Sequence, residues 1–233
     1  MASKYSMNDR PSWPRRAIVT AGEPYGNKGL HFGHVGGVFV PADFFARFLR
    51  DRLDKGAVIV PLNCNFSRLH FLDDSFADTL KGIVDRYAVP PSYLCAEITE
   101  SAFVEDFDTV IGQVKRLHEH GFSVAMDDFG SGYSSLGTLQ NLPIDVLKLD
   151  RSFLMSSESG ERCKAILDGV VSIADKLAVN VVVEGVETRD QASMLVRMDD
   201  RIIAQGFLYS RPVPRDVSDA QFAVGFIEPN ERP

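Results

Sequence analysis

Polar side chains that can bind a metal ion or move a proton recur along this chain at one kind of position. Each stands late in, or just after, an apolar run. They are Asn65, Glu97, Asp127, Asp128, Lys148, Glu184 and Gln205. Carboxylate and amide oxygens are hard ligands that suit Mg²⁺ or Mn²⁺. Four carboxylates beside one lysine repel a phosphate ligand, so phosphate chemistry at such a site predicts two divalent cations between them.

The adjacent pair Asp127-Asp128 carries a geometric condition. Neighbouring side chains on a strand point to opposite faces unless the backbone turns. The segment Phe129-Gly130-Ser131-Gly132 is predicted to supply that turn, because glycine adopts conformations that other residues avoid. Both carboxylates then reach one metal pair.

Glu184 and Lys148 are the candidates for proton transfer and charge stabilisation. Glu184 is followed by a glycine that permits close approach, and as a general base it must lie within hydrogen-bond reach of water. Lys148 either holds the attacking water or a phosphate oxygen, or forms an internal ion pair with one of the acids. The residues themselves leave both roles open.

Six β-type runs alternate with helix-type runs from residue 57 onward. The β runs are Ala57–Asn65, Tyr93–Ser101, Ser123–Gly130, Ile144–Asp150, Asn180–Glu187 and Arg201–Ser210. Two apolar stripes at helical spacing lie between them, one over residues 107–117 and the other formed by Ile166, Val170, Ile173 and Leu177. Thr188 and Gln191 have the spacing of a capping box. This alternation predicts parallel strands joined by helical crossovers.

Two architectures fit the alternation, an open doubly wound sheet and a closed (β/α)8 barrel. The candidate site residues stand at the carboxyl ends of many strands, which is how a barrel builds a site. A doubly wound sheet concentrates its site at one switch point, usually with a glycine-rich phosphate turn, and we find no such turn in the sequence. The α/β barrel is therefore the predicted fold.

Composition limits the remaining possibilities. The 233 residues carry a formal net charge of −7, which argues against binding to a nucleic-acid polymer through its backbone. Three cysteines without metal-binding spacing indicate reduced thiols. The sequence shows neither an apolar stretch of membrane-spanning length nor a signal peptide, so we expect a cytoplasmic protein with no membrane partner.

Six motifs in this order resemble those of the EAL domain family. They are Asn65-Phe66-Ser67-Arg68, Glu97-Ile98-Thr99-Glu100-Ser101, the run from Asp127 to Ser135, Asp145 to Asp150, Glu184 to Thr188, and Gln205-Gly206 with Ser210-Arg211-Pro212. The resemblance covers about residues 57–222. EAL domains are (β/α)8-type TIM barrels with one antiparallel strand, and they hydrolyse cyclic di-GMP to pGpG with Mg²⁺ or Mn²⁺.

The resemblance implies a role for each matching residue. Asn65, Glu97, Asp127 and Asp128 would ligate metal, Glu184 would act as the general base, and Lys148 would position water. Gln205, Arg211, Pro212 and Asp150 would bind the substrate, cyclic di-GMP. Glu100 would brace the loop from Asp128 to Ser135, which is coupled to formation of a homodimer in the family.

The first quarter of the chain departs from the family pattern. It contains no Glu-Ala-Leu motif, whose glutamate is a metal ligand in the family, and Glu23 is a poor substitute. We therefore divide the chain into a divergent segment, 1–56, and an EAL-like barrel core, 57–233, within a single domain. The segment is expected to contain β-like runs at Ala17–Ala21 and Gly37–Val40 and a helix over Pro41–Lys55.

Two hypotheses follow for the function. The chain is a cyclic di-GMP phosphodiesterase whose turnover is impaired by the missing glutamate. Alternatively, it is a catalytically inactive EAL-like module that binds cyclic di-GMP or a protein partner as a regulator. The sequence alone does not separate them.

Overall fold

A computed structural model describes residues 39–57, 59–130, 139, 141–155 and 160–224. Six strands lie within them: β1 (Leu62–Asn65), β2 (Leu94–Thr99), β3 (Ser123–Phe129), β4 (Val146–Leu149), β5 (Asn180–Val183) and β6 (Ile203–Ala204). Each strand falls inside one of the six β runs predicted from the sequence. The strand predictions are confirmed, although each strand is shorter than the run that contains it.

The six strands form one parallel sheet in the order in which they occur along the chain. A doubly wound sheet reverses its strand order at a switch point, whereas a sequential order is that of a barrel wall. The described sheet is a half-barrel, because β1 and β6 each pair on one side within the described chain. The α/β class and the parallel sheet are confirmed, while the closed eight-stranded barrel is not seen in these residues.

The N-terminal runs expected to complete the barrel account for the difference. Ala17–Ala21 and Glu23 lie outside the described residues. In the other run, Phe39 and Val40 begin a helix, so the prediction of a β-like segment ending at Val40 is wrong. Pro41 lies in the first turn of that helix, where proline is tolerated because its missing N–H would have no helical partner.

Nine helices accompany the sheet in the described ranges. They are α1 (Phe39–Asp54), α2 (Arg68–Phe71), α3 (Phe76–Arg86), α4 (Ala102–Glu105), α5 (Phe107–Glu119), α6 (Ser152–Met155), α7 (Gly160–Lys176), α8 (Arg189–Met198) and α9 (Arg215–Val224). The helix expected over Pro41–Lys55 is confirmed as α1. The capping box is confirmed too, since Thr188 Oγ1 accepts from the Gln191 N–H and Gln191 Oε1 accepts from the Thr188 N–H. None of these helices is long and apolar enough to cross a membrane.

The core lies between the sheet and the helices, and one helix faces it differently than predicted. In α5, Val110, Val114 and Leu117 of the predicted stripe are buried, while Phe107 and Ile111 are partly buried. In α7, Ile166 is 56% exposed, and the buried residues are Leu167, Val170, Val171 and Ala174. The apolar residues of α7 form two overlapping stripes about one residue apart, so local spacing cannot choose between them. Packing against β5 selects the second stripe.

The first and last described helices are joined by charged contacts. Arg52 of α1 is buried and forms an ion pair with Asp219 of α9, and Arg215 of α9 pairs with Asp51. The Phe48 ring lies near both guanidinium groups, 5.5 Å from that of Arg52 and 5.3 Å from that of Arg215. These contacts hold α1 and α9 together; the division of the chain at residue 56 stays a prediction.

Candidate metal centre

Lys148 is the point at which the candidate residues converge. Its ammonium nitrogen lies 2.8 Å from Glu97 Oε1, 2.8 Å from Asp127 Oδ1 and 2.8 Å from Glu184 Oε1. These side chains come from β4, from β2 and β3, and from the residue after β5. Alternate residues of a strand share a face, and parallel strands end at one edge, so the register brings them to the same place. The predicted internal ion pair of Lys148 is confirmed with three partners rather than one.

The charged groups of this cluster are buried or partly buried, and burial disfavours their charged forms. Lys148 is 3% exposed and Glu97 is 1% exposed. Burial disfavours the charged ammonium, but the carboxylates of Glu97, Asp127 and Glu184 outweigh it and raise the pKa of Lys148. Burial likewise raises the pKa of Glu97 and of Glu184, although Lys148 opposes both shifts. One ammonium cannot neutralise three carboxylates, so a further cation would be attracted to the cluster.

Asp128 joins the cluster through an unusual backbone conformation. Its φ is +58°, in the left-handed region, and the β3–β4 register shifts between Met126 and Phe129 as in a β-bulge. As a result, ligand oxygens of Asp127, Asp128 and Glu184 lie within 4.8 Å of one another. Burial and the neighbouring Asp127 raise the pKa of Asp128. The turn therefore begins at Asp128 itself, before the predicted tetrapeptide, of which Ser131 and Gly132 lie outside the described residues.

Glu100 contacts the backbone of this turn. Its Oε2 accepts the Gly130 N–H at 3.0 Å, and its own N–H donates to Asp127 O at 3.1 Å. Glu100 is buried, at 4% exposure. The structure thus places Glu100 against the start of the loop that it was expected to brace.

Glu97 provides a test of whether a cation suits the site. Its Oε1 accepts a hydrogen bond from Asn63 Nδ2 at 2.6 Å in addition to the Lys148 contact. Its Oε2 is buried and accepts no hydrogen bond within the described chain. A buried carboxylate oxygen without a donor is costly, and a divalent cation would satisfy it. Asn65, the predicted amide ligand, lies at the end of β1 and pairs in register with Glu97.

Asn63 is a site residue that sequence reasoning missed. It lies two residues before Asn65, on the same face of β1. It is 6% exposed and fixes Glu97 by the 2.6 Å hydrogen bond. A buried amide on the same face as a candidate ligand was the available signal, because buried polar groups need partners.

The substrate-binding candidates differ in the contacts that the structure gives them. Gln205 Nε2 donates to Glu184 Oε1 at 3.1 Å, so Gln205 contacts the candidate base. Asp150 Oδ1 accepts the Ser152 N–H at 2.9 Å, which caps the turn into α6, and this contact lowers the pKa of Asp150 against the effect of burial. Arg211 is exposed, and its guanidinium lies 4.6 Å from the Phe207 ring centroid. Pro212 is exposed beside it.

These groups form a metal-binding donor set of the predicted kind. Asp127, Asp128 and Glu184 are already close, Glu97 has an unsatisfied oxygen, and Asn65 adds an amide. Oxygen ligands of this kind suit Mg²⁺ or Mn²⁺. The residues therefore fit a site that could hold a divalent cation.

Comparison with known proteins finds one family. A profile of the EAL domain matches residues 42–212. The cyclic di-GMP phosphodiesterase NbdA of Pseudomonas aeruginosa is 39% identical over 155 residues, which cover 66% of this chain and 19% of NbdA. The bifunctional diguanylate cyclase/cyclic di-GMP phosphodiesterase MucR of the same organism is 32% identical over 205 residues, which cover 87% of this chain and 30% of MucR. The chain thus spans less than a third of the length of these relatives.

Solved structures agree with the sequence match. The EAL domain of Mycobacterium smegmatis DcpA superposes with a TM-score of 0.72 at 33% identity, covering 84% of this chain and 86% of that one. The MucR phosphodiesterase in complex with cyclic di-GMP gives a TM-score of 0.71 at 32% identity, covering 80% and 77%.

Proposed function

Since the chain belongs to the EAL domain family, we propose that it is a metal-dependent phosphodiesterase that hydrolyses cyclic di-GMP to pGpG. The single observation that carries this proposal is the convergence of Glu97, Asp127 and Glu184 on buried Lys148, with Asp128 turned toward them. The activities named for NbdA and MucR support the choice of substrate.

Asn65, Glu97, Asp127 and Asp128 would hold Mg²⁺ or Mn²⁺, in two sites. When bound, the cations neutralise phosphate charge and lower the pKa of the attacking water. Lys148 is held by its three carboxylate contacts, so it keeps Glu97, Asp127 and Glu184 in one cluster. Because these contacts use its three N–H bonds, the ammonium would donate to the water or to a phosphate oxygen only after releasing one carboxylate to a bound cation.

Glu184 is the proposed general base. Its carboxylate is partly buried, and burial raises its pKa, which favours acceptance of a proton from water. The 3.1 Å hydrogen bond from Gln205 Nε2 orients Glu184 Oε1. Gln205 is itself held by its backbone N–H, which donates to Val183 O. Glu184 therefore accepts the proton as the water oxygen attacks phosphorus. The bond from phosphorus to the ribose 3′ oxygen breaks, and that oxygen takes a proton from solvent and becomes the free 3′ hydroxyl of pGpG.

The substrate contacts proposed here come from Gln205, Arg211, Pro212 and Asp150. Arg211 supplies an exposed guanidinium, which suits a phosphate or a base edge. Glu100 holds the start of the loop after β3, and a homodimer formed through that region is part of the proposal. The proposed location is the cytoplasm.

A second candidate function has one observation in its favour. The sequence lacks the Glu-Ala-Leu motif, and loss of a direct metal ligand removes most activity in a metal-dependent hydrolase. We therefore propose impaired turnover for the phosphodiesterase, and a regulatory module that binds cyclic di-GMP or a protein partner as the alternative.

Purified protein incubated with cyclic di-GMP and Mn²⁺ tests both functions. Chromatography follows the appearance of pGpG, and equilibrium dialysis measures bound dinucleotide. Slow production of pGpG that requires Mn²⁺ is the expected result. Binding without any product would favour the regulatory module. A protein that shows no bound dinucleotide and no product would overturn both the phosphodiesterase and the module that binds cyclic di-GMP.

A further inference from the structure

The Phe153 ring lies beside Gly130, on the side of the α-carbon where other residues carry their side chain. A β-carbon built on Gly130 would lie 2.3 Å from Phe153 Cε2 and 2.5 Å from Phe153 Cζ. Gly130 also has a φ of +92°, which favours glycine. The far edge of the phenyl ring therefore occupies the space that a side chain at position 130 would need.

Phe153 reaches this position from the strand that carries Lys148. It lies in α6, directly after β4, and its N–H donates to Asp150 O at 3.1 Å. The ring packs against the hydrophobic core and is partly buried. The Asp150 N–H also reaches Phe129 O at 3.4 Å. The end of β4 thus contacts the turn after β3 through both backbone and ring.

The turn needs such support because of Asp128. Its left-handed conformation is disfavoured for a non-glycine residue and persists only when the surroundings hold it there. Glu100 supports one side of the turn by accepting the Gly130 N–H. Phe153 occupies the space beside the Gly130 α-carbon. Without the ring, the backbone could return toward a regular strand, in which Asp128 would point away from Asp127.

We propose that Phe153 is a positioning residue for the metal centre: its ring holds Gly130, and thereby keeps the Asp128 carboxylate within reach of Asp127 and Glu184. The proposal rests on the proposed function in one respect, that Mg²⁺ or Mn²⁺ binds at this cluster. Phe153 itself contributes no ligand atom.

Titration of the metal-free protein with Mn²⁺ by calorimetry tests the proposal. Phe153→Ala should weaken Mn²⁺ binding by about tenfold or more, as loss of outer-shell support does elsewhere. Phe153→Met, which keeps an apolar chain of similar reach, should restore most of the affinity. Phe45→Ala removes another partly buried phenylalanine, on α1, and should lower the melting temperature while Mn²⁺ affinity changes by less than about twofold.

Three outcomes separate this inference from the proposed function. If the wild-type protein binds no Mn²⁺, the proposed function fails and the inference fails with it. If the wild type binds Mn²⁺ and Phe153→Ala binds it equally well, only the inference is overturned. Should Phe153→Ala not fold, Phe153→Leu serves in its place, because leucine retains core volume but withdraws from Gly130. Unchanged affinity in that variant would also overturn the inference.

Discussion

The two edges of the sheet arrange their charges in opposite ways. At the carboxyl edge, three carboxylates share the buried ammonium of Lys148, and Asp128 adds a fourth. At the amino edge, charged groups are partly or fully exposed and have partners of their own. Asp145, directly before β4, accepts from the Val124 N–H at 2.8 Å and lies 2.8 Å from His118 Nε2.

Arg201 continues this pattern at the amino edge. It pairs with Asp199 at 2.7 Å and also with Asp175, beside a cavity of about 290 Å³ lined by residues next to β5 and β6. The guanidinium hydrogen bonds lower the pKa of Asp199, whereas burial raises the pKa of Glu97 at the other edge. The Asp199 carboxylate is thus stabilised in its charged form without any added cation.

The difference shows where the fold gives up stability for chemistry. Like charges, an unsatisfied buried oxygen and a left-handed aspartate are gathered at one edge and are tolerated because the rest of the sheet is regular. A divalent cation would reduce the repulsion between carboxylates at the carboxyl edge, whereas the carboxylates at the amino edge already have hydrogen-bonding or cationic partners. Substitutions at the two edges should therefore differ in kind.

Asp127→Asn should have the largest effect. It removes a ligand oxygen, so hydrolysis of cyclic di-GMP should fall on the order of 10³-fold. The rise in melting temperature that Mn²⁺ gives the wild type by mass action should disappear. Asp199→Asn, the same change at the amino edge, should keep both activity and the Mn²⁺ response. Equal Mn²⁺ stabilisation of the Asp127→Asn variant would contradict the assignment of the site.

Lys148→Met should have the largest effect on folding. It leaves three buried or partly buried carboxylates without their cation, which costs about 3–5 kcal/mol of unfolding free energy. Urea unfolding of the metal-free protein measures this loss, and adding Glu97→Gln to the variant should recover part of it. The control is Lys81→Met, which breaks only the surface pair with Asp85 and should cost less than about 1 kcal/mol. A loss below about 1 kcal/mol for Lys148→Met would show that the ammonium does not stabilise the three carboxylates.

Glu184→Gln should separate catalysis from binding. The amide keeps the size of the side chain but cannot accept the proton, so turnover should fall by about 10²-fold while dinucleotide affinity falls much less. Turnover and equilibrium dialysis are compared with those of Asp175→Asn, an amino-edge control. Loss of affinity together with loss of Mn²⁺ binding would instead identify Glu184 as chiefly a metal ligand.

His118→Gln should have the smallest effect. It removes a half-exposed partner of Asp145, which keeps its hydrogen bond from the Val124 N–H. Unfolding free energy should fall by about 1 kcal/mol at most, with Mn²⁺ binding unchanged. A drop in Mn²⁺ affinity would mean that the two edges are coupled, and the contrast between them would no longer hold.

The sequence by itself determined the positions of the strands and which polar side chains gather at their carboxyl ends. All six β runs contain strands, and Glu97, Asp127, Lys148 and Glu184 do meet at one edge. These predictions succeed because they depend on local properties. Alternation of β and helical patterns implies parallel strands, and the end of each parallel strand lies at the same edge.

Only the tertiary structure decided how the site residues meet. The Lys148 ammonium has three partners that lie 21 or more residues away in the chain, a set of contacts that no local pattern encodes. The left-handed conformation of Asp128, the Asn63 hydrogen bond to Glu97 and the buried stripe of α7 were likewise set by neighbours on other elements. Each of these has local alternatives of similar energy, and long-range packing selects one of them because burial of charge or apolar surface differs sharply between them.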